Sequence, residues 1–425
     1  MSYQKLSAAI CLTLAAPMVF ASGFALIEQS ASGQGLSYAG AAANAEDASV
    51  MWFNPAGLSE IKGSQFIVGM HAISPSAAFT NNGSSTQVPS TADGGNDNGA
   101  TFGVVPNLYW KGHFAGHDLG LGINVPFGQH ISYDPSWVGR YHATETNLKT
   151  VNINTAISKA VSDQLTFGFG LNAQYVDLEM QNKIDNRLVG DFITGDGSGN
   201  GKLTANCWAY GYNLGFLFKP TDATDLGVSY RSAMTHNAKG KVEYTNVNAA
   251  LAGALGLANA NASSTVNMPA MASFSLKQAI DGKLALLADA TWTKWSDYKE
   301  LVIDYDSTQA DSNTRQDFKD SWRLSVGGLY QLSEAMKLRA GVAFDQTPIT
   351  NPINRSPRNP DADRKWISVG MGYKLNSAVN IDVAYSHLFA DKAEVNNYTT
   401  NDSQYLKGSY ELGVDILSAQ FVWNY

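Results

Sequence analysis

Residues Ser22–Leu58 read SGFALIEQSASGQGLSYAGAAANAEDASVMWFNPAGL. The stretch is rich in Gly, Ala and Ser, with isolated anchors at Phe24, Leu26, Tyr38, Trp52 and Phe53. It shows neither the alternation of a strand nor the continuous stripe of a helix. Too little apolar surface is present for it to fold alone, so it must fit inside another structure. The remainder of the chain reads as a container. From Gly63 onward, strand-like runs alternate with connectors, and the connectors themselves alternate between two lengths.

Long polar connectors lie near residues 81–99, 133–147, 183–202, 246–264, 306–315, 345–363 and 389–404. Short ones lie at Gly116-His117, Ser162-Asp163, Thr221-Asp222, Asp281-Gly282, Ser333-Glu334 and Asn376-Ser377. Seven long loops joined by six short turns require fourteen strands. Short turns on one rim and long loops on the other are the pattern of an outer-membrane barrel, and the even count leaves both chain ends on the same side. In the run Leu165–Tyr175, Leu165, Phe167, Phe169, Leu171, Ala173 and Tyr175 share one face; Thr166, Gly168, Gly170, Asn172 and Gln174 share the other. The expected fold is all-β: a fourteen-stranded antiparallel transmembrane barrel over residues 63–425 with an N-terminal plug, or hatch, at residues 22–62 inside its lumen.

Composition agrees. The 425 residues include 39 Gly, 19 Tyr, 18 Phe and 9 Trp but only 16% charged residues, which suits one large all-β unit better than two or three soluble domains. Residues 1–21 read as a signal peptide: Lys5 supplies the positive start, Leu6–Phe20 the short apolar run, and Val19-Phe20-Ala21 the small-residue cleavage site. Cleavage there leaves Cys207 as the single cysteine, so no internal disulfide is expected. No later segment offers 18 consecutive apolar residues. An exported chain with amphipathic strands and no apolar helix is directed to the outer membrane of a Gram-negative bacterium.

The balance of 29 basic against 37 acidic residues, without a basic patch, argues against nucleic acid as a partner. Catalytic signatures are missing: there is no Gly-x-Ser-x-Gly elbow, and His113 and His117 lack the carboxylate of a zinc protease. Asp191 and Asp196–Asn200 miss the register of a calcium loop. The chain is expected to be no enzyme and to need no metal or cofactor. The last strand ends Ala419, Phe421, Trp423, Tyr425, similar to the C-terminal targeting signal of outer-membrane barrels. Leu412, Val414 and Ile416 fall on the opposite parity, which requires either a bulge or a partly apolar lumen; the second is preferred.

Several motifs then carry a family resemblance. Gly23-Phe24, Glu28–Gly33, Tyr38-Ala39-Gly40 and Asn54-Pro55-Ala56, with Gly120–Gly128, Asp134–Ala143, Leu148–Val161, Tyr230–Ser232, Thr293–Tyr298 and Pro360–Trp366 further along, resemble the FadL family of long-chain fatty-acid transporters over essentially the whole mature chain. The resemblance implies a hatch that includes Phe24, Leu26, Asn54, Pro55 and Ala56. It also implies a kinked third strand, here Leu119–Tyr133, which opens the wall sideways into the membrane. Val125-Pro126-Phe127-Gly128 fits such a kink, because proline cannot donate to a ladder and glycine marks a bend; a bulge that merely shapes the wall would look the same.

The family's pocket uses basic residues after the fifth strand and before the tenth. Aligned by neighbours these fall on Asn182 or Lys183 and on Thr314 or Arg315; Lys183 and Arg315 are the expected carboxylate partners. Arg140 and Arg187 are expected in loop or lipopolysaccharide contacts. Ala249–Leu257 is expected to form a short amphipathic helix beside an outer groove. The expected ligand is a long-chain fatty acid, or on the same scaffold an alkane or aromatic hydrocarbon. The other partners are outer-membrane lipid and lipopolysaccharide, and nothing requires more than a monomer.

Overall fold

Alternating apolar and small or polar residues bury one face of a strand and leave the other to lipid, and here that pattern closes on itself. A computed structural model describes residues 23–86, 94–190, 199–399 and 404–425. The proposed signal peptide and the calcium-like residues 191–198 lie outside the described residues. The barrel strands are β1 (Gln65–Asn81), β2 (Gly103–Phe114), β3 (His117–Asn124 and Gly128–Ser132), β4 (Glu145–Ala160) and β5 (Leu165–Ile184). Next come β6 (Gly199–Thr221), β7 (Thr224–Arg231 and Met234–Thr245), β8 (Ala260–Met268 and Met271–Ala279) and β9 (Leu284–Thr293 and Glu300–Tyr305). The last five are β10 (Ser312–Arg315 and Ser321–Gln331), β11 (Met336–Asp345), β12 (Arg364–Lys374), β13 (Val379–Ala390 and Ala393–Tyr398) and β14 (Gln404–Asn424). Each pairs antiparallel with its neighbour, and β14 closes on β1 from Gln65↔Asn424 to Asn81↔Gly408. All six short turns fall where the connector lengths place them.

The parity question on β14 is settled by that seam. The β1–β14 register runs through without a shift, so there is no bulge. Val414 and Ile416 are buried while Leu417, Phe421 and Trp423 are exposed. The lumen is apolar at this level: Val414 and Ile416 pack with Leu26, Tyr38, Ile73, Val125 and Trp366.

Residues 23–61 run inside the barrel and are nearly all buried. They form short turns rather than long elements: α1 (Ala31–Gln34), α2 (Val50–Phe53) and a 3-10 turn (Pro55–Glu60). Ser30 caps α1, its side chain accepting from Gly33 N. Asn54 caps the 3-10 turn, with Pro55 at its first position. The wall makes room by using small residues. A Cβ at Gly168 would collide with the Pro55–Ala56 backbone, and one at Gly341 with the Leu36 backbone. Phe167 and Phe169, on the opposite face from Gly168, are exposed where lipid would lie. The inner face of the barrel is thus glycine where the plug passes, and the outer face is aromatic.

Polar contacts fix the plug to the closing seam and to the neighbouring strands β11 and β13. Gln34 Nε2 donates to Ile416 O at 3.1 Å, and Gln34 Oε1 lies 3.1 Å from His71 Nδ1. Gln420 accepts from Ala31 N at 3.1 Å and donates to Asp47 at 2.9 Å. Glu46 pairs with Arg339 at 2.6 Å and with Lys337 at 3.3 Å, and Arg339 also holds Asp382 at 2.8 Å. Burial alone would raise the Glu46 pKa, but the Arg339 and Lys337 charges outweigh it and hold the carboxyl well below the usual range.

Candidate ligand cavity and lateral window

Strand β3 breaks at Val125-Pro126-Phe127. Its first half pairs with β2 from Leu108↔Ile123 to Phe114↔His117, and both halves pair with β4. Gly103–Asn107 of β2 pair only with β1, so this edge has no ladder to β3. The ladder between β2 and the second half of β3 is therefore interrupted along Gly103–Asn107; the plug's Ala25 bridges to Phe127 in this gap, and Ala100 bridges to Ile131 beyond it.

The freed backbone groups are taken up by the plug and by one threonine. Leu26 N donates to Pro126 O at 2.8 Å and Gly128 N to Phe24 O at 2.9 Å. Gln29 Nε2 donates to Val125 O at 3.0 Å, and Phe127 N donates to Thr150 Oγ1 at 3.0 Å. Residues 24–29 thus fill the gap in the ladder beside the kink.

A cavity of about 600 Å³ opens toward the long-loop end. Its walls are chiefly apolar: Leu148, Val176, Leu178, Met180, Leu203, Val242, Val266, Leu301 and Ile303 line it. Helix α3 (Ala249–Leu255) forms as the Ala/Leu pattern suggests, capped by Asn248; Leu255 and Leu257 line the cavity mouth. The volume is in the roughly 300–1,000 Å³ range of small-molecule sites.

Phe24 forms the cavity floor. Its ring meets Trp295 edge-on at 4.8 Å, Tyr298 at 5.7 Å and Phe127 at 6.0 Å. Trp295 and Phe318 complete this aromatic partition. Beyond it lies an inner cavity of about 110 Å³, lined by Leu26, Tyr38, Pro126 and Phe127 among others. Pro126 and Phe127 of the kink line this inner cavity, on the other side of the partition from the outer one.

Lys183 and Asn182 both line the outer cavity, and Lys183 has no carboxylate partner among the described residues. Lys202, also there, is paired with Glu179 at 2.8 Å. Arg315 is placed elsewhere: its side chain is 77% exposed and paired with Asp317, whereas Thr314 and Gln316 line the cavity.

The second cation in the cavity without an acidic partner among the described residues is Arg358, which the sequence does not single out. It hangs inward from the loop between β11 and β12 and donates to Glu145 O and Thr146 Oγ1, both at 2.8 Å, and to Gln181 O at 3.1 Å. Burial pulls its guanidinium down to about 10. Nothing near it in sequence except the Pro360–Trp366 motif marks this loop as inward-folding. Arg140 and Arg187 are buried against Tyr141, and Arg187 pairs with Asp185 at 2.8 Å, so neither reaches an outer lipid surface.

Asn54, Pro55 and Ala56 lie far from the cavity, at the plug's base. Asn54 Nδ2 donates to Ala42 O at 2.6 Å and Phe216 O at 2.9 Å, and Asn54 Oδ1 accepts from Ala56 N at 3.0 Å. They anchor the plug rather than touch a ligand.

A plugged barrel with an apolar cavity and an aromatic partition fits an outer-membrane transporter of hydrophobic compounds. Comparison with known proteins agrees. The chain belongs to the family described as outer membrane protein transport protein (OMPP1/FadL/TodX), whose model matches residues 12–425. It is 28% identical to a putative outer membrane protein, NMB0088, of Neisseria meningitidis serogroup B, over 97% of this chain and 96% of that one. It is 26% identical to the long-chain fatty acid transport protein of Escherichia coli K12, over 93% and 94% respectively. The crystal structure of a Pseudomonas aeruginosa FadL homologue superposes with a TM-score of 0.86 at 25% identity, covering 95% of this chain and 99% of that one. The family consists of transport proteins of the Gram-negative outer membrane.

Proposed function

We propose that this protein takes up long-chain fatty acids through the outer cavity and releases them sideways through the β3 window. In this reading residues 1–21 direct export and residues 22–62 act as the hatch. The acyl chain lies along the apolar wall of the outer cavity, with its carboxylate at Lys183 and Arg358. The observation that carries this reading is the pairing of an apolar cavity with two cations that lack acidic partners among the described residues. A carboxylate supplies what both lack. Lys183 takes the first expected position; Arg358 replaces Arg315, which faces solvent.

Magnitudes favour a ligand-driven latch. Moving residues 24–26 costs two backbone hydrogen bonds to the kink, roughly 1 kcal/mol net each. Burial of each CH₂ contributes roughly 0.8 kcal/mol. Displacing Phe24 also gives up the burial of its ring, roughly 2–3 kcal/mol, so about six methylenes of a long chain offset the whole cost of opening the partition. Leaving through the window keeps the chain in apolar surroundings, whereas a path to the periplasm would return it to water.

Equilibrium binding of oleate to the purified protein in detergent tests this, with Lys183→Ala and Arg358→Ala beside wild type. Saturable binding that weakens at least about tenfold in each variant, with toluene binding unchanged, is the expected result. Toluene or alkane binding without oleate binding would place the protein with the hydrocarbon transporters instead.

A further inference from the structure

The inner cavity carries charge that the apolar route does not use. Arg231, from the Tyr230–Ser232 motif at the break in β7, lines it from one side, and Arg323 of β10 lines it from the other. Arg231 donates to Asn172 Oδ1 at 2.6 Å and Trp52 O at 2.7 Å, and its guanidinium lies 3.7 Å over the Trp52 ring. Arg323 donates to Ser37 O at 2.9 Å and lies over Trp366 at 5.0 Å. Neither arginine has a carboxylate within ion-pair distance among the described residues.

Two aspartates also line this cavity and act on Arg323 through space, but the oxygens of both are engaged by other groups. Asp345 pairs with Arg364 at 3.0 Å. Asp289 accepts from Ser273 and Thr291, each at 2.7 Å, and from Ser275. The unsatisfied buried atoms of the lining are mostly donors: Arg323 Nε and Nη1, Asn213 Nδ2 and Trp295 Nε1, against one acceptor, Gln174 Oε1. Such a surplus of donors beside two cations without acidic partners is a site for an anion.

We infer that the inner cavity is a second carboxylate station, where Arg231 and Arg323 hold the head group of the transported acid after it has passed the aromatic partition. At about 110 Å³ the cavity admits a head group and the first methylenes, not a whole long chain. Pro126 and Phe127 line the same cavity, so a head held there leaves the tail beside the window. The amphiphile can then reach the bilayer tail first, its carboxylate staying paired until the chain is in lipid. This rests on the fatty-acid reading proposed above.

Crystals of the full chain soaked with 2-bromohexadecanoate test it, because the bromine marks the head group by anomalous scattering. Two bromine positions are expected in wild type, one beside Lys183 and Arg358 and one between Arg231 and Arg323. Arg231→Gln and Arg323→Met should each remove the inner position and leave the outer one. Oleate uptake into cells should fall about tenfold in each, with outer-cavity affinity unchanged. A wild-type map with the outer position alone would overturn the second station while leaving the fatty-acid reading intact, and it needs no variant to fold. An inner bromine that persists in both variants would overturn it equally. No bromine at either place would instead remove the fatty-acid reading on which the inference stands.

Discussion

Glu28 offers the sharpest test of the latch. It sits within the segment that bonds the β3 kink, its carboxyl is fully buried, and Oε2 has no hydrogen-bond partner among the described residues. Burial raises its pKa from the ordinary 4.5 to about 7, only partly offset by a backbone hydrogen bond and by Arg364 and Arg323. With the latch released, the carboxyl returns to water and titrates near its ordinary value. A carboxyl whose docked pKa is raised contributes docking strength that is complete below about 4.5 and lost as the pH rises through about 7. At about 1.4 kcal/mol per pH unit, the interval corresponds to about 3 kcal/mol. That is larger than the roughly 2 kcal/mol of the two latch hydrogen bonds. Hydrogen exchange at the Leu26 and Gly128 amides, corrected for intrinsic rates, reads the opening directly. Protection should fall on the order of a hundredfold between pH 4.5 and 7.5. In Glu28→Gln that dependence should vanish. An unchanged pH profile in Glu28→Gln would refute the argument that this carboxyl governs the latch.

Other perturbations have defined outcomes. Asn54→Ala removes donors to Ala42 O and Phe216 O and the cap of Ala56 N. The plug's base should loosen by roughly 2–4 kcal/mol, seen as faster proteolysis within residues 40–60 while the barrel stays resistant. Gly341→Val drives a side chain into the Leu36 backbone and should displace the plug, raising ion conductance in planar bilayers. Thr150→Val strips the Phe127 amide of its acceptor, at a cost of roughly 1–3 kcal/mol, and should lower the thermal transition. Arg315→Ala should leave oleate affinity unchanged in a binding titration, since that side chain is exposed and paired with Asp317.

The barrel was legible because its information is periodic. Side-chain alternation and two classes of connector are one-dimensional signals, and they placed every short turn. The plug was legible by default, as a stretch too rich in small residues to stand alone. The site was less so. Whether Thr314 or Arg315 faces the cavity depends on a one-residue parity in a four-residue strand segment, too short for alternation to be read. At the end of β5 both Asn182 and Lys183 border the cavity, so neighbours alone do not choose between them. Arg358 was hidden because its loop folds into the lumen, and nothing in a local pattern distinguishes an inward loop from one in solvent. The donors around the inner cavity come from β6, β7, the break in β9 and β10, and only closure brings them together.

The seam between β1 and β14 has a consequence for assembly. Apolar residues occupy both faces of β14 around Val414, Ile416 and Leu417, so at that level a slip by one residue would exchange one greasy face for another, although Ser418 and Gln420 further on would be turned to lipid. Hydrophobicity alone would tolerate the error there. The plug does not, because Gln34 must find both His71 of β1 and Ile416 of β14, and Ala31 must find Gln420. It therefore behaves as a key that fits only one alignment of the closing strands. A chain lacking it could still zip into a cylinder, but it would have lost its gauge for where to stop.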